Sequence, residues 1–238
     1  MRPAVRDELL RINRAFYQSL AVPFAETRRR PQPGVQRLLG RIDRAASVLD
    51  VGCGHGLAAE QLGRLGFAGS YHGIDSSEPL VGLARQRVTA DWATFALADV
   101  SLSGWRQTAP GATFDWVLAF AVLHHLPQAA LRLQVTEGLR SVLATEGRVA
   151  VSVWDFAGSE RFRRRLVAWE EVGLTSADVE PGDTLLDWRH AGRGLRYVHH
   201  FSSQELADLA QAAGLSVVET FHSDGQGGRL GIYQIWRA

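Results

Sequence analysis

Lysine is absent from this 238-residue chain: every one of its 26 basic residues is an arginine. That removes Schiff-base chemistry and the lysine of a phosphate-binding P-loop. Cysteine occurs once, at Cys53, which excludes an intramolecular disulfide and any multi-cysteine zinc site. A cytoplasmic location is the resulting expectation. Asparagine also occurs once, at Asn13, and this scarcity beside the missing lysine reads as the codon bias of a GC-rich genome. No run approaches the ~18–20 apolar residues of a membrane span. The opening MRPAVRDELLRINRAF mixes acids with arginines and has no apolar stretch of the signal-peptide kind. A net charge of +1 gives no global nucleic-acid signature. Locally, residues 1–44 hold ten arginines against four acids, a solvated helical face or a polyanion contact. The eight histidines show no metal-ligand spacing, so no metal is expected.

What is present is a core-forming composition, 46% apolar and 21% charged, in a chain of single-domain length. Leu9, Leu10, Ile12, Phe16 and Leu20 recur at helical spacing; Pro23, Pro31 and Pro33 punctuate a connector, and GVQRLLGRI starts a second helix. From Ala46 short apolar strands alternate with helices. SVLDVG, GSYHGID, ATFALAD, FDWVLAFAVL and GRVAVSVWD read as strands, and LAAEQLGRLG, SEPLVGLARQRV and QAALRLQVTEGLRSVL as helices. After the capped helix SSQELADLAQAAGL, SVVETFHS and LGIYQIWRA are joined by a connection too short for a crossover helix and should pair antiparallel. The pattern predicts an α/β fold with a doubly wound, mainly parallel seven-stranded sheet and an antiparallel C-terminal hairpin. The chain divides into an N-terminal helical cover (1–45), a cofactor-binding core (46–154), an insertion (155–200) and a closing helix and hairpin (201–238). Within the insertion RFRRRLVAWEEVG looks helical, and Trp169, Trp188, Leu185 and Leu186 favour an ordered lid.

The glycines Gly52, Gly54 and Gly56 stand at alternate positions between a strand ending in Asp50 and a helix. A dinucleotide fingerprint is spaced G-x-G-x-x-G, which this loop is not. Asp75 ends the next strand, 19 residues after Gly56, where a carboxylate can accept two ribose hydroxyls. Asp99 follows the third strand, within reach of an adenine amino group. Each feature alone could be an ordinary turn or a helix N-cap. Three in register at successive strand ends point to a nucleoside-bearing cofactor.

In LDVGCGHG, GID, LAD and FDWVLAFAVLHHL the chain resembles the class I S-adenosylmethionine-dependent methyltransferases, over about Ser47 to Val153. The resemblance implies S-adenosyl-L-methionine as cofactor. It places Asp50, Gly52, Gly54 and Gly56 at the methionine and ribose end, with Cys53 beside them. Asp75 and Ser76 lie at the ribose, Asp99 and Val100 at the adenine, and Phe120 near the sulfonium. Tyr17 and Arg28 would reach the cofactor carboxylate from the N-terminal cover. The flanks resemble more narrowly the methyltransferases of the carboxymethyl group on tRNA wobble uridine, through Thr27, Arg28, Pro31 and Pro33 and through Arg196, Tyr197 and His199. That branch carries an aromatic residue at Gln32, asparagine at His55 and an acidic–Arg–Asp–Asn–aromatic run in the last hairpin, all absent here.

The chemistry implied is in-line displacement at an electrophilic methyl, helped chiefly by positioning and exclusion of water. A carboxylate acceptor needs no base, whereas an amine or hydroxyl must lose a proton. His124 is the candidate base, and His125, Trp154, Tyr197 and His199 are candidate acceptor contacts; a structural role for the histidine pair competes with this. Arg161 to Leu166 could grip a phosphate backbone or form a solvated face. Residues 155–200 hold eight acids against seven arginines, which is not the basic surface of a dedicated RNA platform. A small-molecule acceptor is therefore the first expectation and tRNA the second, with oligomeric state open. A non-catalytic cofactor-binding partner subunit is a further alternative; a nicotinamide oxidoreductase is disfavoured by the glycine spacing and the hairpin.

Overall fold

The computed structural model describes residues 1–109 and 113–238. Seven strands form one sheet: β1 (Ser47–Val51), β2 (Ser70–Asp75), β3 (Ala93–Leu97), β4 (Phe114–Phe120), β5 (Leu143–Trp154), β9 (Ser216–Ser223) and β10 (Gly231–Arg237). Their order is β3-β2-β1-β4-β5-β10-β9. Neighbours run parallel from β3 through β5, and β10 pairs antiparallel with both β5 and β9. Between β1 and β4 the chain reverses its direction of travel across the sheet. A crevice opens at the carboxyl ends of strands at such a switch point.

Strand alternation divides the core between two layers. Leu49, Val51, Val117, Ala119, Val149 and Val151 face one side, toward α6 (Ala129–Ser141) and α8 (Ser203–Ala212). Val48, Trp116, Leu118 and Ala150 face the other, toward α3 (Pro33–Leu39), α4 (Leu57–Arg64) and α5 (Glu78–Arg87). Near-continuous apolar strands such as VLDV and WVLAF are what a sheet covered on both faces demands.

Two expectations need correction. The proline-rich connector holds a short helix, α2 (Ala21–Glu26). Pro23 is its third residue, where the amide has no intrahelical acceptor to lose. RFRRRLVAWEEVG is not one helix but α7 (Glu160–Arg163), β6 (Leu166–Val167) and a 3₁₀ turn at Trp169–Val172. β6 joins β7 (Asp183–Trp188) and β8 (Gly194–His199) in a separate three-stranded antiparallel sheet. This second sheet lies under α1 (Pro3–Ser19), against which Val5, Leu9 and Ile12 bury themselves with Leu185 and Tyr197. At Gly194 a Cβ would come within 2.7 Å of Phe16 and Leu20, so helix and strand can meet there only over a glycine.

Candidate active site

A cavity of about 790 Å3 lies at the switch point, between the carboxyl ends of β1 to β5 and the paired roof of α1, α2 and the small sheet. Its floor is the loop after β1. Gly52, Gly54 and Gly56 all have positive φ, +71°, +55° and +81°, a conformation that β-carbon-bearing residues resist. A Cβ at Gly52 would lie 2.4 Å from the Val122 side chain, whereas one at Gly54 would meet no protein atom within 4 Å. Gly54 thus offers bare backbone to open space. Gly56 differs: it is not on the cavity wall, and a Cβ there would lie 3.2 Å from Ala84 of α5. Its part is close packing of two helices, which corrects its expected place at the ligand.

The three expected acids line the cavity in strand order. Asp50 is buried, accepts a hydrogen bond from the Tyr71 hydroxyl, and is pushed by burial up to about 7. Asp75 accepts backbone N–H bonds from Gly54 and Ser77, both 2.9 Å. Burial raises its pKa against the pull of those amides. Asp99 accepts from Arg14 Nε at 2.8 Å and from the amide and hydroxyl of Ser101. Cys53, Ser76, Val100 and Phe120 complete this half of the wall.

α1 is pinned across the opening at three strand ends. Besides Arg14 on Asp99, the Ser77 hydroxyl donates to Tyr17 O at 2.8 Å. Asn13 makes the third junction: Nδ2 donates to His125 O and Tyr197 O, both 3.1 Å, and Oδ1 accepts the Tyr197 amide at 2.8 Å. One buried side chain so joins α1, β8 and the turn after β4. Nothing local in the sequence marks this asparagine, whose partners lie 112 and 184 residues away.

Tyr17 and Arg28 both reach the cavity. Tyr17 OH lies 2.8 Å from His125 Nε2, and His125 Nδ1 lies 3.0 Å from Tyr197 O. A carbonyl only accepts, so His125 carries its proton on Nδ1 and accepts a hydrogen bond from the Tyr17 hydroxyl at Nε2. Burial pushes His125 down to about 3, so it stays neutral. Arg28 lies over the Phe24 ring at 3.8 Å, and burial lowers its guanidinium to about 10. His55 Nε2, facing the Arg28 carbonyl at 3.0 Å, donates to it and ties the glycine loop to the N-terminal cover.

On the acceptor side, His125 and Trp154 line the cavity, while His124, Tyr197 and His199 do not. His124 is wholly buried behind Trp154, 4.8 Å between ring centroids, and its Nδ1 accepts the Trp154 amide at 3.3 Å. Burial holds it well below the usual histidine range, so it is neutral and out of reach of an acceptor. Tyr197 OH donates to Asp183 at 2.7 Å. His199 lies between Asp183 and Glu205, at 2.8 and 2.7 Å, and these two bonds overcome burial and raise its pKa. That network ties β7 and β8 to α8. Ala121, Trp188, Arg161, Arg165 and Arg196 line the cavity with His125 and Trp154. Ala121 holds φ +58° directly after β4, turning the chain toward His125; such non-glycine outliers cluster at functional sites. Among the described residues no cluster of three metal-ligating side chains occurs, and no helix is long and apolar enough to cross a membrane.

A 3-2-1-4-5 parallel sheet closed by an antiparallel pair, with a glycine loop and acids at successive strand ends, defines the class I methyltransferase fold. The methyltransferase-domain family matches residues 24–220. The chain belongs to that family and is an S-adenosylmethionine-dependent methyltransferase. The tRNA (carboxymethyluridine(34)-5-O)-methyltransferase of Schizosaccharomyces pombe is 23% identical over 223 residues, spanning 85% of this chain and 88% of that protein. The ubiquinone biosynthesis O-methyltransferase of Paramagnetospirillum magneticum is 37% identical over 84 residues, 35% of this chain and 32% of that one. Magnesium protoporphyrin IX methyltransferase from Synechocystis, with bound S-adenosylhomocysteine, superposes with a TM-score of 0.63 at 17% identity, covering 94% and 97% of the two chains.

Proposed function

We propose that the enzyme methylates an oxygen or nitrogen of a small molecule held between the ends of β4 and β5 and the roof. Gly52 and Gly54 would hold the methionine end of the methyl donor, Asp75 its ribose, and Asp99 and Val100 its adenine. When bound, the donor would supply an electrophilic carbon for an acceptor lone pair, the carbon–sulfur electron pair staying on sulfur; a carboxylate acceptor has no proton to lose, and a hydroxyl or amine acceptor gives its proton up to solvent. Tyr17, held by His125, and Arg28 orient that end of the donor. Trp154 and Trp188 shape the acceptor space and exclude water.

One observation carries the small-molecule reading. The cavity runs beneath a packed roof in which Phe16, Phe24 and Trp188 interlock, ring centroids 5.6 to 6.3 Å apart, and its volume is that of sites for drug-sized ligands, ~300–1,000 Å3. The test is a co-crystal with S-adenosylhomocysteine and turnover of S-adenosylmethionine in a metabolite extract. A ligand away from Gly54 and Asp75, or no methylated product, refutes the reading.

A tRNA acceptor is the second reading. Arg161, Arg164 and Arg165 at the mouth of the cavity favour it, as does the similarity to the fission-yeast tRNA enzyme over most of both chains. Phosphate contacts give strongly salt-dependent binding. Absence of tRNA binding at low salt removes this reading.

A further inference from the structure

Arg196 is only 2% exposed, yet it lines the cavity, and its Nε and Nη1 have no hydrogen-bond partner among the described residues. Among the described residues it is in no ion pair, although the Tyr17 hydroxyl lies beside it. Its guanidinium is enclosed by rings instead, 4.9 Å from Phe16, 5.0 Å from Trp154 and 5.3 Å from Trp188. A buried cation without a counterion destabilises a fold, and cation–π contacts offset only part of the cost. Nor is it isolated: Arg28, Arg161 and Arg165 line the same cavity, and none is in an ion pair among the described residues. Burial does most to lower the pKa of Arg196 and of Arg28; the Tyr17 hydroxyl beside both works against it, and the neighbouring cations lower them further, Arg165 acting on Arg196, and Arg196 and Arg161 on Arg28. Trp154, Phe162 and Trp188 line the cavity with them, and the nearest acids, Glu160 and Asp187, lie beside Arg161 and Arg165 in the adjoining pocket, where they pair with Arg163, Arg164, Arg189 and Arg193. The acids of the wall, Asp50, Asp75 and Asp99, are at the strand ends of the donor half.

We infer that Arg196 is the anchor for an oxyanion carried by the methyl acceptor, a carboxylate or a phosphate on a ring-bearing molecule. The inference rests on the small-molecule methyltransferase reading and names its substrate class. The anion completes the open donors of Arg196 and relieves the mutual repulsion of the arginines, while the tryptophans receive the ring. Arg196 so determines specificity, and an uncharged analogue of the same shape is rejected because it leaves the buried cation unpaired.

The test uses the full chain loaded with S-adenosylhomocysteine and titrated by calorimetry with benzoate, phenyl phosphate and benzamide. At least one anion should bind about tenfold or more tightly than the amide, the two anions distinguishing the carboxylate from the phosphate source. Arg196→Met should erase the difference while keeping S-adenosylhomocysteine affinity and holding or raising the melting temperature. Arg196→Lys, a point charge without the planar fork, should recover part of the discrimination. Three results overturn the inference. One is anions binding the wild type no better than benzamide. Another is the same discrimination in Arg196→Met. The third is loss of S-adenosylhomocysteine binding in that variant, which would give Arg196 to the donor's carboxylate. Should Arg196→Met not fold, the ring contacts are structural cement, and wild type against Arg196→Lys decides the matter. Failure of the wild type to bind S-adenosylhomocysteine at all sinks the methyltransferase reading instead, a result seen before any anion is added.

Discussion

Removing the Asn13 side chain is the sharpest test of how the roof is held. In Asn13→Ala the buried amide of Tyr197 loses its acceptor and the carbonyl of His125 loses its donor, while Tyr197 O keeps its bond from His125 Nδ1. An orphaned buried donor costs ~1–3 kcal/mol and the second lost bond adds to it, so the change should destabilise by about 2–4 kcal/mol. For a chain of this size that corresponds to a fall of roughly 5–15 °C in melting temperature. Asn13 stands one turn before Tyr17 in α1, so binding should suffer as well. If about 1.4 kcal/mol of the loss falls on the bound state, S-adenosylhomocysteine binds about tenfold more weakly. Asn13→Asp is a more selective probe. Its carboxylate still accepts the Tyr197 amide but faces two carbonyl oxygens, so its folded-state pKa should rise above the unfolded value. Stability should then fall, relative to the wild type, as pH rises through that range. Calorimetric unfolding and titration measure both effects. A loss below about 1 kcal/mol in Asn13→Ala, with unchanged ligand affinity, would refute the junction.

Two further outcomes follow from the glycine loop and the acid behind it. Gly54→Ala and Gly56→Ala both force a methyl-bearing residue into positive φ, costing ~1–2 kcal/mol each. They should then diverge: Gly54→Ala weakens S-adenosylhomocysteine binding tenfold or more, because its methyl enters open cavity, whereas Gly56→Ala loses more stability against Ala84. Equal binding losses in the two variants would contradict the division of roles. Asp50, raised to about 7 by burial, binds its proton more tightly folded than unfolded. Its contribution to stability is therefore present below about pH 4 and declines as pH rises to about 7, by an amount of order 4 kcal/mol. Urea unfolding of wild type and Asp50→Asn between pH 5 and 7.5 should diverge accordingly, and parallel profiles would dispose of the shift.

The sheet and the donor half were legible because each unit is local. Apolar strands covered on both faces, positive-φ glycines and an acid at the next strand end are set by residues close in sequence, and Asp50, Asp75 and Asp99 stand on the cavity wall where that register puts them. The roof was not legible for the opposite reason. DTLLDW and GLRYVH break the alternation of a half-buried strand, since Asp183, Asp187, Arg196 and His199 are buried polar groups. Only partners far along the chain, such as Glu205 for His199 and Asn13 for Tyr197, make those positions tolerable. His124 shows the same limit from the other side: the motif LHHLP gives no way to tell which ring faces the cavity, and the turn after β4 presents His125.

The two halves of the site are therefore built by different means. The donor half relies on backbone: bare glycines, amides bonded to Asp75, and strand ends fixed by the sheet ladder. The acceptor half relies on side chains from three distant segments, α1 and α2, the turn after β4, and the small sheet inserted after β5. Substitutions at Trp188 or Arg196 can thus change what is methylated without moving Gly54 or Asp75, provided that the junction at Asn13 survives. In the proposed reading the chain's own specificity lies in the roof, where the Arg196 guanidinium, with Nε and Nη1 unpartnered among the described residues, is the feature that packing alone does not explain.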